Sequence, residues 1–284
     1  MPRLADSVTK QADFRNRSKL SKLVRYAGRF PDRPIPLFWF SGLPNFGDAL
    51  SRVIVKHVSN GSPILVSGKF RGKVLAAGSV MGRLAEGDVV WGTGAIRDRP
   101  IEPPARVRFL AVRGPLTREL IRSDVPEIYG DPAFILPRIY RPASEKRFEL
   151  GVIPHYIDME DLRFRDPSIL LIDVRSHWSS VVDAITSCRM ILSSSLHGII
   201  AAEAYGIPAL WITVTDRVIG EGFKFRDYYL STGREPPEPL PWKDALDRGD
   251  RHFSDPPVLD PEPLLRAWPA DLQFPDGVGQ DLTP

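Results

Sequence analysis

The run Ser193-Ser194-Ser195-Leu196-His197-Gly198 sets hydroxyl donors, an imidazole and a glycine in consecutive positions. It follows an apolar stretch with strand character and opens one with helical spacing. The unpaired N–H groups of a helix's first turn, together with its dipole, favour a bound anion. Ser193, Ser194 and Ser195 would add donors, and Gly198 would allow close approach. An imidazole beside a bound phosphate or carboxylate suits general-acid catalysis. The alternative is a serine-capped helix with a structural histidine.

Four other places carry residues able to join such a site. Arg113 ends an apolar stretch and precedes Gly114-Pro115, where proline suits the first turn of a helix. Its guanidinium could grip a phosphate or carboxylate with two hydrogen bonds, or pair with an acid such as Asp131. Asn45, Gly47 and Asp48 form a loop before a helix, either as a backbone cradle or as an Asx-turn with a cap. His155, in Ile-Pro-His-Tyr, is a second acid/base, a substrate contact or a surface histidine. Lys224, in Lys-Phe-Arg-Asp-Tyr-Tyr, would add positive charge, and Glu203 would meet a sugar hydroxyl or face the core edge.

Several chemistries find no support. The glycine spacing matches neither the P-loop nor the dinucleotide fingerprint, so neither ATP nor NAD is indicated. The histidines are scattered and Cys188 is the single cysteine, so no metal site is expected. No Gly-x-Ser-x-Gly elbow marks a hydrolase nucleophile.

The elements that would position these residues alternate regularly from Pro36. Strands are expected at 37–40, 73–77, 88–91, 108–112 and 127–129, with helices at 48–57 and 114–122. After a charged, proline-bearing stretch at 138–147 the rhythm restarts. It gives strands at 149–153, 169–174, 190–193 and 209–214 and helices at 178–188 and 196–205. Strands alternating with helices and closed by glycine turns indicate α/β architecture with parallel sheets. Two such runs predict two Rossmann-like lobes, 36–140 and 148–233, with a cleft between them. Ligands of open α/β sheets sit beyond the strands' carboxyl ends, where the residues above fall.

Two segments differ from this pattern. Residues 1–35 are basic, with Leu20, Leu23, Val24 and Ala27 at helical spacing. They form either an amphipathic helix touching anionic lipid or a helix packed on the body. Residues 234–284 are proline-rich and should hold little beyond short helices such as 260–268.

A net charge of +3 is too small to argue for nucleic acid. One cysteine permits no intrachain disulfide and points to a reducing compartment. No apolar run is long enough to span a bilayer, and the first residues lack the apolar core of a signal peptide. A cytoplasmic location is expected.

Taken in order, Asn45-Phe-Gly-Asp48, Gly92-Thr-Gly94, Arg113-Gly114 with Thr117, and Gly130-Asp-Pro-Ala133 form one series. It continues through Ile153-Pro-His-Tyr156, Ser193-Ser-Ser-Leu-His-Gly198 and Lys224-Phe-Arg-Asp-Tyr-Tyr229. This series resembles the polysaccharide pyruvyl transferase family, especially members of succinoglycan-type exopolysaccharide synthesis, over residues 36–233. The resemblance implies an arrangement like that of GT-B glycosyltransferases. It implies phosphoenolpyruvate as donor and a terminal hexose of a lipid-linked oligosaccharide as acceptor. The products would be a cyclic pyruvate ketal and phosphate, with no metal or redox cofactor, and peripheral contact with the inner membrane would follow. Several relatives carry arginine where this chain has Ser195, so Arg113 or Lys224 would carry more of the donor's charge. His197 would protonate the donor's methylene carbon, and His155 or Asp48 would take the hydroxyl protons. The alternatives are a nucleotide-sugar glycosyltransferase and a non-catalytic carbohydrate-binding protein.

Overall fold

The computed structural model describes residues 34–143, 145–248, 253–269 and 272. The basic helix expected within 15–29 lies outside them.

The first half opens with β1 (Pro34–Phe38), whose central residues are buried on both faces, as parallel strands require. Helix α1 (Phe46–Ser59) follows. Its N-cap is Asn45, Asp48 sits in its first turn, Lys56 and His57 sit in its last, and left-handed Asn60 ends it. Each of these choices satisfies a free backbone group or complements the helix dipole. Strands β2 (Ser62–Leu65), β3 (Val74–Leu75), β4 (Val89–Trp91) and β5 (Arg108–Ala111) complete the sheet, and α2 (Pro115–Leu120) comes next. A 3₁₀ turn at Pro132–Ile135 leads into α3 (Leu136–Ile139).

The second half repeats the scheme. It runs β6 (Phe148–Ile153), β7 (Ile169–Leu171), α4 (Trp178–Thr186), β8 (Cys188–Ser193), α5 (Leu196–Ala204), β9 (Ala209–Thr213) and α6 (Phe223–Ser231). Strand β10 (Leu240–Pro241), α7 (Trp242–Arg248) and α8 (Glu262–Ala267) follow.

Both sheets have five strands, in the orders β2-β1-β3-β4-β5 and β7-β6-β8-β9-β10. Every named pair is parallel. Numbered within its own half, each sheet therefore reads 2-1-3-4-5. In this doubly wound order the chain reverses direction between the first and third strands, and ligands bind at the carboxyl end of that switch point. The switch points here lie between β1 and β3 and between β6 and β8.

The halves are packed directly together. One apolar cluster joins Leu37, Phe46, Leu50 and Ile54 of the first half to Ile153, Ile172, Val181 and Ile199 of the second. The Phe46 amide donates to the Val174 carbonyl across the junction at 2.7 Å. The site residues line the polar seam where the two sets of strand ends meet.

Two local expectations change, and the tail holds its short helix within 260–268. The stretch 127–129 makes a single bridge, Val112 to Tyr129, rather than a strand. Strands β2 and β10 were not expected, because Pro63 and Pro241 suppress the strand signal, yet both lie at sheet edges where proline costs no ladder bond. The proline-rich tail returns to the body: Trp91 Nε1 donates to the Leu264 carbonyl at 2.8 Å, and the Trp91 and Trp268 rings meet edge-on.

Candidate active site

Strand β8 ends at Ser193, and its hydroxyl builds the corner. Ser193 Oγ accepts from the Ser195 amide at 3.0 Å and lies 2.9 Å from the Ile153 carbonyl oxygen. The Ser194 amide donates to that same carbonyl. A side chain at 198 would overlap Ser193 Oγ, so the turn requires Gly198. Helix α5 starts here with Ser195 as an N-cap whose side chain makes no capping bond. Among the described residues the amides of Leu196 and His197 have no backbone partner, so the helix terminus stays open to an anion.

The His197 side chain, 13% exposed, crosses from the second half into the switch point of the first. It packs against Gly47, where a Cβ would overlap the imidazole, and lies beside left-handed Gly78. Its Nε2 is 3.4 Å from Asp131 Oδ2. Asp131 is fully buried; its carboxylate accepts from the Ala133 amide at 3.0 Å and the Gly78 amide at 3.3 Å. Burial pushes its carboxyl upward, but His197, the Ala133 amide and Arg113 outweigh this and hold it below the ordinary range.

Asp48 occupies the first turn of α1, where Asn45 Nδ2 donates to its carboxylate at 2.8 Å. Burial raises its pKa, against the pull of His197, Asn45 and Lys224. Lys224 is 8% exposed. Its Nζ lies 5.4 Å from the Phe225 ring centre and makes no hydrogen bond or ion pair among the described residues. Burial and the Arg113 charge lower its pKa to about 8, while Asp48 and Asp158 oppose the shift.

His155 follows β6. Its amide donates to Ser194 Oγ at 2.8 Å, and the Ile157 amide donates to its Nδ1 at 3.4 Å. Burial and the Lys224 charge lower its pKa to about 3. The ring is therefore neutral, and occupancy of Nδ1 as acceptor places its proton on Nε2. Buried Asp158 accepts from Thr215 Oγ1 at 2.5 Å and from Ser194 Oγ at 3.4 Å.

Arg113 is fully buried, with its guanidinium against Gly94. Its Nε donates to Asp227 Oδ2 at 2.9 Å, Nη1 to Ser79 Oγ at 2.7 Å and Nη2 to the Ala95 carbonyl at 2.6 Å. The ion pair expected with Asp131 is made instead with Asp227, which also binds the Thr117 amide and hydroxyl. Glu203 is held by Arg234 and Tyr228. Among the described residues no three His, Cys, Asp or Glu are placed to share a metal, and no helix is long and apolar enough to cross a membrane.

The sequence model of the polysaccharide pyruvyl transferase family matches residues 105–216. The family read from the ordered motifs is the family that matches. The matched segment contains Arg113, Asp131, His155 and the Ser193–Gly198 corner. Asn45, Gly47, Asp48 and Lys224 lie outside it and reach the site through the fold. The chain is 31% identical over 174 residues to the uncharacterized protein L143 of Acanthamoeba polyphaga mimivirus, covering 56% of this chain and 59% of that protein. It is 26% identical over 160 residues to the succinoglycan biosynthesis protein ExoV of Rhizobium meliloti, covering 50% and 46%. The chain thus spans roughly half the length of these relatives. No solved structure gives a significant match.

Three buried acids escaped the sequence reading of the site: Asp131 as the partner of His197 and Asp158 below Ser194, both within the matched segment, and Asp227, beyond it, as the partner of Arg113. Asp131 and Asp227 lie inside motifs of the ordered series, which was the available signal. Asp158 had none.

Proposed function

We propose that this chain transfers the pyruvyl group of phosphoenolpyruvate to a terminal hexose of a lipid-linked exopolysaccharide repeat, forming a cyclic ketal and releasing phosphate. The observation that carries this reading is the buried Lys224, without a hydrogen bond or ion pair among the described residues, in a seam with the open terminus of α5 and the His197 imidazole. A ligand with two anionic groups and a carbon to be protonated fits that combination.

The α5 terminus, Ser194, Ser195 and Lys224 bind the donor's phosphate and carboxylate. His197 gives a proton to the methylene carbon, which becomes the methyl group and leaves an oxocarbenium-like centre. A sugar hydroxyl adds there while Asp48 takes its proton. Phosphate departs with its bridging oxygen, and a second hydroxyl closes the ketal with loss of its proton. Asp48 suits the base role better than His155: burial raises the aspartate and lowers the histidine. His155, neutral with Nε2–H, serves as a hydrogen-bond donor. Arg113 acts through Ser79 and the glycines around the seam rather than by gripping the donor. No step calls for a metal or redox cofactor. The acceptor's lipid places the reaction at the cytoplasmic face of the inner membrane.

Phosphate release from phosphoenolpyruvate, with and without an oligosaccharide acceptor, tests the reading. Acceptor-dependent release is expected. No release with the authentic acceptor, or nucleotide release when a sugar nucleotide is supplied, would replace it with glycosyl transfer.

Lys224 makes the reading pH-sensitive. With its pKa lowered to about 8, the lysine is cationic below that pH and loses its charge above it. The donor's KM should therefore rise as pH passes through about 8, approaching about tenfold per unit beyond it. A Lys224→Arg variant, charged throughout, should flatten the rise. A wild-type KM constant from about pH 7 to 9.5 would remove Lys224 from donor binding.

A further inference from the structure

We infer that Asp131 is a positioning residue that holds His197 by Nε2 and leaves Nδ1 as the nitrogen that exchanges a proton with the substrate. The inference rests on the pyruvyl-transfer reading for its substrate, and on geometry for the division of roles between the two nitrogens.

The two nitrogens have different surroundings. Nε2 is fully enclosed and makes no formed hydrogen bond among the described residues. The acceptor in front of it is Asp131 Oδ2 at 3.4 Å. That distance is longer than a charge-assisted bond of about 2.8 Å, and catalytic hydrogen bonds commonly tighten only when substrate is bound. Nδ1 lies on the Gly47 side, also makes no hydrogen bond among the described residues, and is not enclosed in this way. Asp131 cannot turn away easily, because the Ala133 and Gly78 amides hold its two oxygens. The imidazole is confined in turn between Gly47 and Gly78, and a side chain at Gly47 would intrude on the ring.

An ionised carboxylate only accepts hydrogen bonds, so the nitrogen facing it must carry hydrogen. In neutral His197 the proton therefore sits on Nε2 and the lone pair on Nδ1. In the cation both nitrogens carry hydrogen, and the proton that can leave without breaking the Asp131 contact is the one on Nδ1. Its transfer forms the methyl C–H bond, breaks Nδ1–H and returns the ring to the neutral Nε2–H form. Asp131 keeps its charge throughout. An orienting carboxylate behind an acid/base imidazole recurs in unrelated enzymes because it fixes both tautomer and ring angle.

The test is a long-range proton–nitrogen correlation spectrum of the full chain labelled with ¹⁵N-histidine, recorded where the imidazole is neutral. His197→Gln identifies the His197 signals by their loss. The expected result is an Nε2–H tautomer with a downfield imidazole proton that moves upfield in Asp131→Asn. The same variant should lose on the order of 10- to 100-fold in kcat, part of the loss expected for removing the imidazole, with the donor's KM little changed. A neutral His197 protonated on Nδ1 overturns the inference from the wild-type spectrum alone, even if Asp131→Asn does not fold. A folded Asp131→Asn protein with an unmoved proton signal also overturns it. The spectrum needs no donor, so the two readings fail separately. An Nε2–H tautomer without phosphoenolpyruvate turnover removes only the reaction, and turnover with an Nδ1–H tautomer removes only this inference.

Discussion

Replacing His197 with glutamine should lower kcat by about 100- to 10,000-fold while leaving the donor's KM within a small factor of wild type. Glutamine approximates the length of histidine and can still meet Asp131 from its amide, so the seam keeps its packing. It has no proton to deliver to carbon. The donor's anionic groups are assigned to Lys224 and the backbone amides of the α5 terminus, which a side-chain substitution at 197 leaves in place, so the loss should appear in turnover rather than in binding. Initial rates of phosphate release, with circular dichroism to confirm folding, decide the matter. A folded His197→Gln protein turning over near the wild-type rate would sink the acid assignment.

The second large effect is on stability. Arg113 and Asp227 are both fully buried and 2.9 Å apart. The aspartate also satisfies the Thr117 amide and hydroxyl. Asp227→Ala leaves a guanidinium uncompensated in the interior, a change that typically costs about 3–5 kcal/mol. The urea midpoint should fall accordingly. Replacing both partners, as in Arg113→Met with Asp227→Leu, should recover part of the loss, because neither charge then remains stranded while Thr117 still loses its acceptor. A single Asp227→Ala variant within about 1 kcal/mol of wild type would show that the pair does not bear on stability. The damage should also reach the site, since Arg113 holds Ser79, the neighbour of Gly78, whose amide in turn holds Asp131.

How far the sequence was legible depended on whether a feature was local. Strands β4, β6 and β8 are short apolar runs closed by glycine, proline or serine, and local composition reveals them. The serine–histidine corner and the Asn45 cap are likewise contiguous, so their positions at strand ends followed from the chain itself. Pairings across the fold did not. Arg113 finds its acid 114 positions away, in α6. Asp131 meets His197 only because the two switch points face each other, and no spacing encodes that. Helix α6 was not expected, since Phe223, Lys224, Phe225, Asp227, Tyr228 and Tyr229 are all buried and polar and apolar residues therefore do not separate at helical spacing.

The apolar cluster that runs through both halves limits how the protein can move. Swinging one half away from the other would bare part of that cluster and break the Phe46–Val174 bond. At about 25 cal/mol per Å², exposing roughly 400 Å² would cost on the order of 10 kcal/mol, too much to repeat at every turnover. The seam is therefore assembled once, when the chain folds, and its charges are already aimed before a substrate arrives. A site assembled in this way would spend little binding energy on closing. Its pace should then be set by the proton transfer and by the loops at the strand ends, rather than by a swing of domains.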